Sequence, residues 1–218
     1  MSVKLDKTSG GSNSISTNTV VVSREAVHYG RTSTPQTKWK VTAGGASATM
    51  TVTEAAYGLY KNVSSSQSVA NSSTSFSING TTNAHSIKAT ISENNISASL
   101  GSLTANGANQ TVSSGRATIS GDPGANGTFS FTWSFSCGAN KTISARTVKI
   151  TFTFYTSSSD TTGQSVTVTV TQAAGSAYVY WSTTSGQETT AGSATMTQAG
   201  TAINTYIMSN TSWTITKV

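Results

Sequence analysis

Apolar and polar residues alternate at every second position through several stretches of this chain. In Phe129-Ser130-Phe131-Thr132-Trp133-Ser134-Phe135-Ser136-Cys137 each odd position is large or soft, and each even one carries a hydroxyl. Successive side chains of a strand point to opposite faces, so this rhythm predicts a strand with one buried face. The same rhythm runs through residues 148–154 and 166–171, and the three strands together are expected to form half of a sandwich. Shorter runs at residues 19–22, 38–41, 48–53, 194–197 and 213–216 predict further strands. Between the runs lie the turn signals Gly10-Gly11, Gly44-Gly45, Asn79-Gly80, Asn106-Gly107, Asp122-Pro123-Gly124, Asn126-Gly127 and Thr162-Gly163. No segment sustains a 3.6-residue apolar period, so almost no helix is expected, at most a single turn near Ser23-Arg24-Glu25-Ala26.

A sequence repeat divides the chain. Thr-Val-Thr-Glu-Ala-Ala at 51–56 returns as Thr-Val-Thr-Gln-Ala-Ala-Gly at 169–175 and, weakened, as Thr-Met-Thr-Gln-Ala-Gly at 195–200. A glycine-bearing turn precedes each copy, which marks it as the closing strand of a hairpin. The expected organisation is a small module over 1–57, a central sandwich over 58–175 and a β tail over 176–218. The outer pieces are too small to bury a good core alone. The tail is therefore expected to pack on another module or on a neighbouring chain.

Composition sharpens the fold class. The chain holds 38 serines and 40 threonines among 218 residues, and 9% of its residues are charged. Threonine and valine fit a pleated sheet better than a helix. Regular alternation separates the chain from a disordered Ser/Thr-rich sequence, whose apolar residues are too few to offset chain entropy. Cys137 is the sole cysteine, so no internal disulfide forms and packing carries the fold. The start MSVKLDKTSGGSNS lacks the apolar run of a signal peptide, and nothing approaches the length of a membrane span. A chain made in the cytoplasm, with no membrane partner, is expected. The net charge of +6 is spread without a dense Lys/Arg cluster, although Lys4, Lys7, Arg24, Arg31, Lys38 and Lys40 fall early. That dispersion points to a solvated basic surface rather than to direct nucleic-acid binding.

The second half of the central unit carries a resemblance. Asn140, then Ala145-Arg146-Thr147-Val148-Lys149-Ile150-Thr151, then the closing Val168-Thr169-Val170-Thr171-Gln172-Ala173-Ala174-Gly175, make residues 127–175 resemble the BACON module. That family is an immunoglobulin-like sandwich common in Bacteroidetes proteins and their phages. The first unit follows the pattern more loosely, with Glu54 in place of the closing Gln, and residues 61–121 show no typical Trp-led strand. The resemblance implies an all-β chain of tandem immunoglobulin-like β-sandwich modules. With no signal peptide, the sequence is similar to virion proteins of crAss-like phages. It implies a capsid decoration, auxiliary or head-fibre component located in the virion, whose partners are the major capsid or other virion proteins, in a homo-oligomer or multi-copy assembly. The alternative implied is a carbohydrate- or receptor-binding adhesion module of a phage tail or bacterial surface, with a surface glycan as ligand.

Candidate chemistry is sparse. The seven acids, Asp6, Glu25, Glu54, Glu93, Asp122, Asp160 and Glu188, are scattered singly, whereas glycoside hydrolysis needs two carboxylates facing one bond. His28, His85 and Cys137 do not make a metal or triad pattern, and Cys137 continues the inward row from Phe129 as a small hydrophobe. The Asp122–Gly127 stretch lacks the alternating acids of a calcium loop and reads as a tight turn. No enzyme, cofactor or metal is expected. Tyr178, Tyr180 and Trp181 are the candidate contact residues: in Tyr178-Val179-Tyr180-Trp181 both faces of a strand would be apolar or aromatic.

Overall fold

The computed structural model describes residues 2–5, 22–25, 29–30, 36–53, 58–124, 127–186, 193–196, 200 and 202–217, the first two stretches by backbone alone. Among them every regular element is a strand. The first are β1 (Ser2–Leu5), β2 (Val22–Glu25), β3 (Gln36–Ala43) and β4 (Ala46–Thr53). The middle of the chain supplies β5 (Lys61–Val63), β6 (Ser66–Val69), β7 (Ser75–Thr82), β8 (Ser86–Ser92), β9 (Ser99–Ala105), β10 (Ala108–Gln110), β11 (Val112–Ser113) and β12 (Arg116–Thr118). The long strands β13 (Phe129–Ser136), β14 (Arg146–Tyr155) and β15 (Gln164–Gln172) follow, and β16 (Val179–Ser182) and β17 (Tyr206–Ser209) end the series.

Strands β5 to β15 build two sheets, one of five strands in the order β10-β9-β13-β7-β5 and one of six in the order β11-β12-β8-β14-β15-β6. All their ladders are antiparallel except β15–β6. The fold is an all-β sandwich. On β13 the inward row Phe129, Phe131, Trp133 and Phe135 is buried, while Ser130, Thr132 and Ser136 face solvent. Opposite it stand Val148, Ile150, Phe152 and Phe154 of β14 with Val168 and Val170 of β15. Rings interlock across the layers, with centroids 5.9 Å apart for Trp133–Phe152 and 6.0 Å for Phe131–Phe154. Within the five-stranded sheet Phe76 stacks on Phe135 at 5.0 Å. Each fully buried aromatic or aliphatic side chain contributes about 1.5–3 kcal/mol relative to exposure.

Several expectations are corrected here. The three alternating runs do not pair side by side: β13 lies in the five-stranded sheet, and β14 with β15 in the other. Alternation decides which face of a strand is buried, not which sheet it joins. The connection 137–145 carries the chain across, fixed by N–H donation from Cys137 to Thr74 O, Gly138 to Ile96 O and Asn140 to Asn71 O. Asn79-Gly80 is no turn but the middle of β7. A Cβ on Gly80 would lie 2.6 Å from the Phe131 ring and 2.7 Å from Asn62 O, so glycine lets two strands and a core ring meet there. Ser23-Arg24-Glu25 is extended and pairs with Ser2–Lys4, because the ladder satisfies its backbone groups. Ala194–Met196 and residues 213–216 join no ladder, and residues 61–121, which carry no typical Trp-led strand, hold eight short or Ser-rich strands. Thr19, Val20, Val21, Gly10-Gly11, Asn126, Ala191-Gly192, Thr197 and the Glu54-Ala55-Ala56 end of the first repeat lie outside the described residues.

Turn chemistry behaves as the sequence indicates elsewhere. Gly44 and Gly45 close β3 onto β4, and Asn106 with Gly107, at φ 52° and 73°, closes β9 onto β10. The connection from β14 to β15 is organised by one carboxylate. Asp160 Oδ2 accepts from Thr156 N at 2.9 Å and Thr156 Oγ1 at 3.1 Å; Oδ1 accepts from Thr162 N, Thr162 Oγ1 and Gly163 N, each at 3.1 Å. The backbone N–H of Thr156, then that of Gly163, hold this carboxyl far below the ordinary carboxylate range. A depressed acid contributes stability that is complete above its unfolded pKa of about 3.9 and is lost as pH falls toward the folded value. Asp160→Asn is therefore expected to lower the urea midpoint near neutrality and to flatten its decline below about pH 4. Parallel midpoint-against-pH curves for the two proteins would contradict this.

Candidate functional site

The candidate residues lie on the hairpin formed by β16 and β17, where Tyr180 opposes Met208 and Trp181 opposes Ile207. Side chains two apart share a face, which puts Tyr178 and Tyr180 together and Trp181 with Val179 on the other side. The two tyrosine rings stack at 4.9 Å with 20° between their planes. All three candidates are half-buried, yet around them Val179 is 49% exposed, Met208 43% and Tyr206 38%. The structure thus brings the two tyrosines into one stack and sets Trp181 apart from them.

Asn210 anchors this hairpin. Its Oδ1 accepts from Tyr178 N at 3.0 Å, and its Nδ2 donates to Ser176 O at 2.9 Å and to Lys141 O at 2.7 Å. Ser209 Oγ donates to Tyr178 O at 2.8 Å. Lys141 belongs to the connection between β13 and β14, so one amide ties the tail to the end of the sandwich. That connection is itself a polar knot. Asn140 Nδ2 donates to Ser144 O and Ala173 O, both at 2.8 Å, while its Oδ1 accepts from Thr142 N and Thr142 Oγ1. Beside it the fully buried Gln172 donates through Nε2 to Gly138 O at 3.0 Å, Ser73 O at 3.2 Å and Asn71 O at 3.4 Å. Arg146 Nη2 donates to Gln172 Oε1 at 3.0 Å and to Gly138 O at 3.1 Å. Asn140, Arg146 and Gln172, which carry the sequence resemblance, therefore act as a structural clasp.

A second apolar surface lies on β3 and β4. Their register puts Trp39, Val41 and Ala43 on one face with Met50, Ala48 and Ala46, and puts Lys38 and Lys40 on the other with Thr51 and Thr49. Val41 is 60% exposed, and the two strands pack chiefly on each other. Beyond the hairpins, Met196 is 61% exposed, Trp213 49% and Ile215 77%.

The described titratable groups are dispersed. Glu93 pairs with Lys149 at 2.7 Å, Asp122 Oδ1 accepts from Gly124 N at 2.9 Å, and Asp160 is engaged in its loop. Among the described residues no three His, Cys, Asp or Glu converge as a metal site would require. Cys137 is half-buried against the core, its Sγ 3.3 Å from Ser73 O, and burial pushes its thiol pKa up while the Arg146 charge opposes the shift. This is a packed thiol rather than an activated one. His85 is half-buried at the end of the sandwich; His28, Asp6, Glu54, Glu188 and the Glu25 side chain lie outside the described residues. Two concavities among the described residues, about 580 Å³ around Arg116 and about 530 Å³ beside Gly80, are shallow and lined mainly by hydroxyl and amide side chains. No protein-family model and no curated protein matches the chain.

Two features here escaped the sequence. The clasp joins residues 26 to 101 positions apart, which local spacing does not register. Tyr29 at the end of the sandwich is the other. Its only local signal is an aromatic-glycine pair.

Proposed function

We propose that this chain is a bacteriophage virion structural protein, a capsid decoration, auxiliary or head-fibre component working through protein–protein contacts. The observation that carries this is the pair of hairpins, β3–β4 and β16–β17, which leave apolar and aromatic side chains in solvent beside a sandwich that already has a complete core. A two-stranded hairpin is marginal in water by itself and gains stability when its apolar face is covered. Contact surfaces of this kind suit a multi-copy or homo-oligomeric assembly with the major capsid or other virion proteins. The resemblance of residues 127–175 to the BACON module supports the same reading. Among the described residues no helix is long and apolar enough to cross a membrane. The test is mass spectrometry of gradient-purified particles: the chain is expected at a fixed copy number, and its absence from clean particles discards the proposal.

A second reading is a glycan- or receptor-binding module of a phage tail or bacterial surface, favoured by the half-exposed aromatic rings of Tyr178, Tyr180 and Trp181. Binding on a glycan array that disappears in Trp181→Ala, with the fold intact, would select it over decoration.

A further inference from the structure

Tyr29 and Gly30 precede the sandwich in sequence yet are seated in its end. The Tyr29 hydroxyl lies 2.8 Å from both Ile119 O and Gly121 O, and donates to one of them at a time. Gly30 N donates to Asn83 O at 2.8 Å. A Cβ on Gly30 would lie 2.6 Å from Asn83 Oδ1 and 2.8 Å from Leu59 Cα, so the segment fits too closely for a side chain at that position. Asn83 also holds the entry to β5, accepting from Tyr60 N and donating to Gly58 O. Among the described residues this is where the chain before residue 36 is fastened to the sandwich.

The fastening has a histidine at its centre. His85 meets the Tyr29 ring edge-on, with centroids 4.9 Å apart and 81° between planes, and the same tyrosine leans on Phe129 at 6.2 Å. The backbone of His85 is pinned: its N–H donates to Tyr155 O at 2.8 Å, and its carbonyl accepts from Ile119 N at 2.9 Å. The imidazole lies against the Tyr29 ring, and its Nδ1 is buried without a hydrogen-bond partner. The charged and titratable groups around it are Arg116, Tyr155, Tyr29 and Asp122. Arg116 is held over the Tyr155 ring at 3.8 Å and donates to Ser86 Oγ and Ser157 O. Asp122 acts on Tyr29, whose phenol pKa is raised by burial first and by that carboxylate second.

We propose that the Tyr29–His85 contact is an acid-released latch, in which a proton on His85 undocks Tyr29 and Gly30 and frees the preceding chain from the sandwich. A protonated Nδ1 would be a buried cationic donor with no acceptor, next to the fixed charge of Arg116. Withdrawal of the Tyr29 ring opens the imidazole to water and removes that penalty. Burial, and secondarily Arg116, already hold the His85 pKa below its ordinary 6.5. The undocked state therefore binds the proton better, and docking weakens as pH falls below the free value. The loss is up to about tenfold per pH unit until the docked pKa is reached.

The test uses the full chain carrying 3-fluorotyrosine, with the Tyr29 fluorine resonance assigned by its absence in Tyr29→Phe. That resonance is expected to move from a docked to a free position between about pH 7 and about pH 5, and to stay docked in His85→Gln over the same range. Binding linkage is reciprocal, so the His85 ring-proton titration should rise toward the ordinary histidine value in Tyr29→Ala. A Tyr29 resonance unmoved down to about pH 5, or moving with the same midpoint in His85→Gln, would overturn the latch. If His85→Gln fails to fold, the Tyr29→Ala titration decides: an unchanged His85 pKa is equally fatal.

Discussion

Gln172→Leu is expected to cost about 3–5 kcal/mol of stability, although leucine nearly matches glutamine in size. The amide is fully buried, shares its two N–H hydrogens among three carbonyls, those of Asn71, Ser73 and Gly138, and supplies an acceptor for Arg146. Leucine removes a donor from carbonyls that keep weaker or single partners, Asn71 O with Asn140 N, Gly138 O with Arg146 and Ser73 O with Cys137 Sγ, at about 1 kcal/mol per lost bond, and it takes an acceptor from the Arg146 guanidinium at about 1–3 kcal/mol. The position of the arginine makes it worse, since Arg146 Nε is already buried without a partner. Urea titration would show the loss as a lower midpoint at an unchanged slope. Replacing Arg146 by leucine in the same molecule should recover part of the loss, because the stranded charge is gone. A double variant no better than the sum of its parts would mean that the two side chains act independently.

Trp133→Ala is expected to cost about 3–5 kcal/mol, enough to unfold a marginal domain on warming. Trp133 is fully buried and sits between the layers against Phe152. Its removal opens a cavity that the Phe152 ring and the cross-strand neighbours Ile78 and Leu103 cannot refill without leaving their rotamers. Trp133→Phe should be milder. It loses volume, but it also deletes an indole N–H that is buried with no acceptor. The contrasting control is Trp213→Ala, where a residue 49% exposed should change the isolated chain by no more than about 0.5 kcal/mol. Thermal unfolding followed by near-ultraviolet circular dichroism distinguishes these outcomes, and equal losses at the two tryptophans would contradict the assigned core.

The contrast between these tryptophans also marks what was legible in the sequence. Strand β13 could be read residue by residue, because a half-buried strand imposes a period of two and its inward residues are large. Strands β14 and β15 were readable for the same reason, yet their sheet was not, since alternation carries no information about the partner across the core. Strands β5, β6 and β10 to β12 are short, and in β7 serine occupies the outward positions of its first half, so Ser75-Phe76-Ser77-Ile78 passes for loop composition. Asn79-Gly80 misleads because a glycine that admits a core ring looks the same in sequence as one that makes a turn. The alternating residues 213–216 show the reverse error: a strand-like pattern that joins no ladder is here only exposed chain. As for the candidate contact residues, their division between two faces followed from spacing alone. The Ser209 and Asn210 bonds that hold their strand reach contacts 31 to 69 residues away, which spacing does not register.

Amide hydrogen exchange on the full chain, alone and within purified particles, tests most directly the claim that a self-sufficient sandwich carries hairpins built for contact. In the isolated protein the amides of β7, β8, β13, β14 and β15 should exchange near the global unfolding limit, whereas β3, β4, β16 and β17 exchange early and gain protection only in the assembly. Hairpins as slow as the sandwich in the free chain, or no slower in the particle, would contradict it.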